Sequence, residues 1–209
     1  MAGKITTLEV QKRNPDRVSV YLDGRFAFGL PAIVAARLAR GQFLSDAQAT
    51  ALQEEGAVED AYNRALHFLS YRPRSRAEIE NYLEKRGVNE PQIAKITGRL
   101  ERAGLLDDEA FAQYWVENRE RFRPRGLRAL RYELRNKGID DGIIERALAS
   151  VDVAESAYIS AGRKARQLKD LDRQAFLRKL VEYLARRGFS YEVAQETAQR
   201  LWTETVSEG

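Results

Sequence analysis

The sequence predicts a mainly α-helical protein: three tandem three-helix repeats behind a small N-terminal antiparallel β-sheet. The first observation is a pattern around three glycines. Around Gly87 stand Ile79, Leu83, Val88, Ile93 and Leu100; around Gly138, Leu130, Leu134, Ile139, Ile144 and Val151; around Gly188, Leu180, Leu184, Phe189, Ala194 and Leu201. Each set falls at offsets −8, −4, +1, +6 and +13 from its glycine. Periodicity of this kind marks a repeat architecture, because each unit needs its neighbours to bury its apolar face. The second observation is strict alternation in the first thirty residues, and the third is a succession of helix caps from Ser45 onward. An elongated stack offers a long surface rather than a deep pocket, which favours a binder over a catalyst.

The elements follow in order. Ile5 to Val10 alternates, Asn14-Pro15-Asp16 supplies a turn, and Val18–Leu22 and Arg25–Phe28 flank Asp23-Gly24, a two-residue hairpin signal; three strands are expected. Pro31 suits the first turn of a short helix through about Ala39, ended near Gly41. Ser45 with Gln48 forms a capping box for a helix expected to stop at Gly56. From Glu59 onward all is helical. The stripe Ala61, Ala65, Phe68, Leu69 ends before Arg72-Pro73. Ser75 with Glu78 is a second capping box, Gly87 a left-handed C′ residue, and Asn89 with Gln92 opens a helix to Gly104. Asp107, Gly126, Asp140, Asp152, Asp172 and Ser190 start the remaining helices. The expected modules are 1–58, the sheet with short helices, and repeats at 59–106, 107–151 and 152–209.

Composition narrows the function. No cysteine is present, so neither a disulfide framework nor a thiolate metal site is available. The start Met1-Ala2-Gly3-Lys4-Ile5 lacks an apolar signal core, and no apolar run approaches membrane-spanning length, so a soluble cytoplasmic protein is expected. The net charge of +4 is spread as about +1, +2, 0 and +1 over the four modules, so there is no basic tail. His67, the single histidine, sits among Leu66, Phe68 and Leu69 and reads as a half-buried structural imidazole. Asp107-Asp108 and Asp140-Asp141 occupy equivalent helix starts, where the dipole favours acids, so they read as caps rather than metal ligands. No glycine-rich phosphate loop occurs. Neither catalysis, cofactor nor metal is expected.

The unusual surface feature is arginine. Arg119, Arg121, Arg123, Arg125 and Arg128 crowd the stretch 119–128, and Arg128, Arg131 and Arg135 continue at i, i+3 and i+7 on one helix face, beside the apolar Leu127, Leu130 and Leu134. Arg72, Arg74 and Arg76 form a parallel cluster in the first repeat, and Arg72-Pro73-Arg74-Ser75 recurs as Arg123-Pro124-Arg125-Gly126. The third copy weakens to Arg173-Gln174-Ala175-Phe176. Such clusters suit phosphates or acidic protein patches. The structural alternative is that Glu120 and Glu133 neutralise several of them and the turns bridge successive units. Binding is the favoured reading.

Several stretches resemble the RecX family of bacterial regulators of the RecA recombinase: Arg72-Pro73-Arg74-Ser75-Arg76-Ala77-Glu78-Ile79 with Leu83 and Lys85-Arg86-Gly87; Gly104-Leu105-Leu106-Asp107-Asp108-Glu109-Ala110-Phe111-Ala112 with Arg119; and Gly126 with Glu133-Leu134-Arg135-Asn136-Lys137-Gly138-Ile139. These cover roughly 70–150; the last repeat matches more loosely. The resemblance implies a non-enzymatic regulator of recombination, DNA repair and the SOS response, which binds RecA filaments on DNA and chiefly inhibits them, with contact to single- or double-stranded DNA possible; the chain itself is expected to be a monomer. The alternative is a direct DNA-binding module of helix-turn-helix type, against which the third helices speak, since 141–150 is poor in base-reading side chains.

Overall fold

A computed structural model describes residues 2–207, with the side chains of 206 and 207 left aside. Three antiparallel strands open it: β1 (Gly3–Gln11), β2 (Asn14–Leu22) and β3 (Arg25–Pro31). Asp23 and Gly24 take φ of 46° and 82°, the left-handed pair a two-residue hairpin demands. The sheet has one strand more than expected, because β4 (Phe43–Leu44) pairs with Gly3 and Lys4, giving the order β3-β2-β1-β4.

That pairing also shortens the first helix. Only α1 (Ala32–Ala35) forms, with Pro31 at its N-cap rather than in its first turn. Beyond it the chain is drawn back to β1: Gly41 N donates to Ile5 O and Ile5 N to Gln42 O, each at 2.8 Å. Backbone groups committed to a strand cannot also close helical turns.

The expected stop at Gly56 does not occur. α2 runs unbroken over Asp46–Ser70, opened by the full Ser45/Gln48 capping box. Gly56 is buried inside it, and a Cβ there would lie 2.9 Å from Leu30 Cδ2 and 3.3 Å from Pro31 Cδ. The glycine lets the helix press on β3 rather than ending it.

The remaining helices are α3 (Arg76–Glu84), α4 (Glu90–Arg102), α5 (Asp108–Phe122), α6 (Leu127–Arg135), α7 (Asp141–Leu148), α8 (Val153–Gln167), α9 (Arg173–Arg186) and α10 (Tyr191–Ser207). The capping residues act as expected: Asn89, Asp107, Asp140, Asp152 and Asp172 each accept a backbone N–H of their own first turn. Gly87, Gly138 and Gly188 are left-handed, at 77°, 74° and 91°, and the following amide returns to the carbonyl four residues before each glycine. The fold is mainly helical, three tandem three-helix repeats behind an antiparallel sheet.

Two compact units make up the chain: Met1–Arg72 with Glu80–Ala103, and Pro73–Ile79 with Gly104–Gly209, so α3 is divided between them. In the first, Ile5, Val20, Leu22, Phe28, Leu30, Val34 and Leu44 form the core under the sheet. In the second, each complete repeat has its own core. One gathers Phe111, Val116, Leu130, Leu134, Ile139, Ile144 and Leu148; the other gathers Ala157, Phe176, Leu180, Leu184, Phe189, Ala194 and Leu201. Apart from the partly buried Val151, the offsets that defined these two repeats are thus their buried positions, each worth about 1.5–3 kcal/mol for a large aliphatic or aromatic side chain.

Candidate functional site

Within the second unit the arginines sort into three environments. Burial of Phe111, Ala112 and Val116 turns Trp115 and Arg119, one helical turn apart on α5, toward α6. The Arg119 guanidinium lies 4.5 Å from the Trp115 ring centroid. Arg119 Nε and Trp115 Nε1 donate to the same Glu133 oxygen, at 2.7 and 2.9 Å, and Arg125 stands 3.8 Å from the other. Lys137 Nζ lies 5.1 Å from the Trp115 ring centroid and 2.8 Å from Glu78, to which Arg74 also approaches at 4.0 Å. These side chains are 15–35% exposed. Glu133 and Glu78 thus each gather more than one cation, and the buried Arg125 Nε has no hydrogen-bond partner among the described residues. Guanidiniums held this way can also fork onto phosphate or carboxylate.

A second set rides the outer face of α6. Arg131 forks onto Glu145 at 2.6 and 2.8 Å, and Arg135 Nε reaches Asp141 at 2.7 Å. The hydrogen bonds hold both carboxylates below, and both guanidiniums above, their ordinary pKa. Exposed pairs of this kind contribute little to stability, so the guanidiniums can be recruited by a ligand at small cost. Arg128 Nη2 donates to Ala185 O at 3.1 Å. Tyr132, 68% exposed, stands among these three arginines.

The third set is the exposed turn after α5. Arg121 and Arg123 flank Phe122, itself 65% exposed, and neither arginine has a carboxylate within ion-pair distance among the described residues. Arg72, Arg74 and Arg76, by contrast, are half-buried; the Arg76 amide donates to Asp108 Oδ1 at 2.8 Å. Glu133 therefore neutralises arginines as expected, but Glu120 does not. Burial, then the neighbouring Glu117 and Asp152, raise the Glu120 carboxyl above its ordinary pKa.

The turns bridge successive repeats, as the structural alternative had it, and the part the glycines play there is what sequence reading missed. The start of α3 meets the end of α6, and the start of α6 meets the end of α9. Ser75 Oγ donates to Lys137 O at 2.6 Å, and Gly126 N donates to Arg187 O at 3.0 Å. A Cβ on Gly138 would collide with Ala77 Cβ, and one on Gly126 with the Gly188 backbone. The repeated glycine is therefore a contact surface as well as a helix stop. Its recurrence at equal spacing was the available signal.

His67 is exposed rather than half-buried, with its ring edge-on to Tyr71 at 5.1 Å. It lines a cleft of about 1040 Å³ in the first unit, with Arg17, Asp60, Asn63 and Tyr82. There Arg17 is tied to Asp60 and stands near Gly29 O, so the cleft floor is an ion pair without a nucleophile beside a base. Among the described residues no group of three metal-ligand side chains occurs, and no helix is long and apolar enough to cross a membrane.

Comparison with known proteins agrees with this layout. Family models described as the first, second and third three-helix domains of RecX match residues 61–100, 107–148 and 152–201, and one described as the regulatory protein RecX N-terminal domain matches 3–45. Regulatory protein RecX of Bacillus subtilis (strain 168) is 34% identical over 194 residues, 90% of this chain and 74% of that protein. Its counterpart in Prosthecochloris aestuarii is 39% identical over 143 residues, 68% of this chain and 94% of that protein. A crystal structure of regulatory protein RecX aligns with a TM-score of 0.78 at 29% identity, covering 95% of this chain and all of that one. The crystal structure of RecX from Lactobacillus salivarius aligns at 0.63 and 29%, over 69% and 96%. With its sheet and all three helical domains matched in order, the chain belongs to the RecX family of regulatory proteins.

Proposed function

We propose that this chain is a cytoplasmic, non-enzymatic regulator of recombination and DNA repair that binds the RecA recombinase and its filaments on DNA and chiefly inhibits them. One observation carries the reading: Arg121, Phe122 and Arg123 stand exposed on a tandem array whose next helix displays Arg128, Tyr132, Arg131 and Arg135. A filament repeats its surface, so an array of modules gains from linked weak contacts through effective concentration. Interleaved cations and aromatics suit both acidic protein surfaces and stacked, single-stranded bases. The modules 1–58, 59–106, 107–151 and 152–209 are the units we assign to this engagement.

The helix-turn-helix alternative fares worse on the same coordinates. The start of a recognition helix must face bases, yet α7 opens with exposed Asp140 and Asp141 and carries exposed Glu145. Acids there repel phosphate.

The test uses DNA-dependent ATP hydrolysis by the RecA of the same host. The purified chain is expected to suppress it at substoichiometric ratios. Arg121→Ser with Arg123→Ser, which removes no internal ion pair, should raise the half-inhibitory concentration about tenfold with helicity unchanged, the equivalent of about 1.4 kcal/mol of binding. Full hydrolysis at a several-fold excess of the unaltered chain would overturn the regulator reading. Equal potency of the double variant would instead remove these arginines from the contact.

A further inference from the structure

We infer that the outer face of the N-terminal sheet, centred on Tyr21 and Phe26, is a stacking site for single-stranded nucleic acid, with Lys4 and Arg25 at its rim for the phosphates. The inference does not rest on the proposed role in recombination, and its test contains no RecA.

One face of the sheet is committed to the core. Ile5, Val20, Leu22, Phe28, Leu30 and Leu44 are buried there with Val34 and Ala35 of α1 and Ala49 of α2, so the helices cover the inner side. Successive strand residues point to opposite faces. Tyr21, between Val20 and Leu22, therefore points outward. So do Lys4, between the buried Gly3 and Ile5, and its cross-strand partner Phe43, next to the buried Leu44.

Phe26 joins them only because the ladder is irregular. Two residues from the buried Phe28, it would ordinarily lie in the core. The register shifts instead beside Tyr21: Val20 faces Phe28 while Tyr21 faces Phe26, leaving Ala27 as the extra residue. Directly opposed residues share a face, so the bulge turns Phe26 out beside Tyr21. A second shift lies on the other side of the same tyrosine, where Ile5 faces Leu22 and Thr7 faces Tyr21. The extra residue there, Thr6, locks the hairpin. Its hydroxyl donates to Tyr21 O at 3.2 Å and accepts from Gly24 N at 3.0 Å. Two bulges thus flank one aromatic residue, and re-aiming a side chain at a functional site is a common use of bulges.

The result is an aromatic row open to solvent. Phe26 is 59% and Phe43 63% exposed, and Tyr21 meets Phe26 edge-on, with centroids 5.9 Å apart at 78°. An edge-on pair leaves a ring face free. The parallel Phe68–Tyr82 pair, by contrast, is consumed by its own stacking and by Arg86 over Tyr82. Tyr21 OH donates to Glu9 Oε2 at 3.4 Å, which steadies the ring. The neighbouring Thr7, Ser19 and Gly29 are small, so a base meets little obstruction beside the row.

Charge identifies the ligand. Residues 1–44 hold seven lysines and arginines against three acids, while the remaining chain balances, so the whole excess of +4 belongs to this segment. Lys4, Lys12, Arg13, Arg25 and Arg40 are exposed, and none has a carboxylate within ion-pair distance among the described residues. Carboxylates of an acidic protein would use these cations but leave the rings idle. Unpaired nucleotides use both, since each brings a phosphate and a π-face.

The test titrates a fluorescein-labelled oligothymidine against the full-length chain by anisotropy and follows backbone amides by nitrogen-15 NMR. Saturable shifts should centre on Tyr21 and Phe26, with a dissociation constant on the order of 10 μM near physiological salt. Phe26→Ala, at an exposed site outside the core, should fold normally and bind about tenfold more weakly, whereas Phe26→Trp should bind as the natural chain does. Lys4→Ala with Arg25→Ala should lower the slope of log affinity against log salt by about 0.7 per residue. Absence of shifts at Tyr21 and Phe26, natural affinity in Phe26→Ala, equal weakness in Phe26→Trp, or an unaltered salt slope would each overturn the site. Displacement of the oligonucleotide by polyglutamate, with the same amide shifts, would overturn the choice of ligand in favour of an acidic protein. Equal affinity for the duplex with oligodeoxyadenosine would overturn it in favour of phosphate contact alone.

Discussion

The second and third repeats sit in one compact unit and bury the same offsets, yet their middle helices begin differently. α6 is nine residues long and starts at Gly126, after Arg123-Pro124-Arg125; α9 is fourteen and starts at Asp172. Pro124 offers no N–H and keeps Arg123 extended, at φ −152°, so helix cannot form across the turn. In the third repeat the matching Arg173-Gln174-Ala175 has no proline, and Asp172 accepts the Ala175 amide at 2.9 Å, so the same positions become a first helical turn. The late start leaves α6 a bare glycine to press on Gly188. The early start covers the corresponding point of α9. One proline therefore decides whether a helix end is a joint or a finished terminus.

The sharpest way to break the contrast is Gly126→Ala. The added methyl group collides with backbone atoms of Gly188 and Phe189, which cannot rotate away. Urea unfolding should show a loss of about 3 kcal/mol, against a typical surface change within about 0.5 kcal/mol. A loss inside that surface range would mean that the two helix ends are not in contact.

Asp172→Ala tests the other side. It removes a cap but no joint, so about 1 kcal/mol should be lost, with fraying confined to the first turn of α9 in amide exchange. Deprotection spreading to α6 would show that α9 depends on this cap for its seat there.

The smallest effect concerns pH where the two repeats adjoin. The Glu120 carboxyl is pushed up, first by burial and then by Glu117 and Asp152. A raised carboxyl favours folding most below its unfolded pKa, and that contribution is lost as pH rises through the folded value. Glu120→Gln should therefore match the natural chain in strong acid and gain stability over it as pH climbs past the ordinary 4.5. The Glu145 and Asp141 carboxyls are lowered and give the opposite slope, stabilising above their unfolded values and losing this as pH falls. Parallel pH curves for variant and natural chain would remove Glu120 from the account.

What was legible in the sequence was local. Caps at Ser45, Ser75, Asn89 and the four aspartates act on amides two or three residues away, and Asp23-Gly24 needs no distant partner. The errors in the helix bounds came from remote partners. Gly56 reads as a stop until Leu30 and Pro31 are seen to lie against it, and the helix after Pro31 yields to β1 across thirty residues of chain. The arginines were visible as a cluster, but their division was not. Glu133 was named as a neutraliser, but nothing in the spacing says that Arg119 and Arg125 are the ones it takes, that α7 engages Arg131 and Arg135, or that Arg121 and Arg123 are left with the exposed turn.

The extra turn of α9 bears on how such an array changes length over evolution. A module duplicated onto the far side of the third would have to set its glycine against a helix start already blocked by Arg173, Gln174 and Ala175. That start presents no small N-cap residue for such a joint. Copies of the first or second module carry a proline-delayed start and can be inserted internally, so related chains with four modules should show the additional one there, with the long-started helix still last.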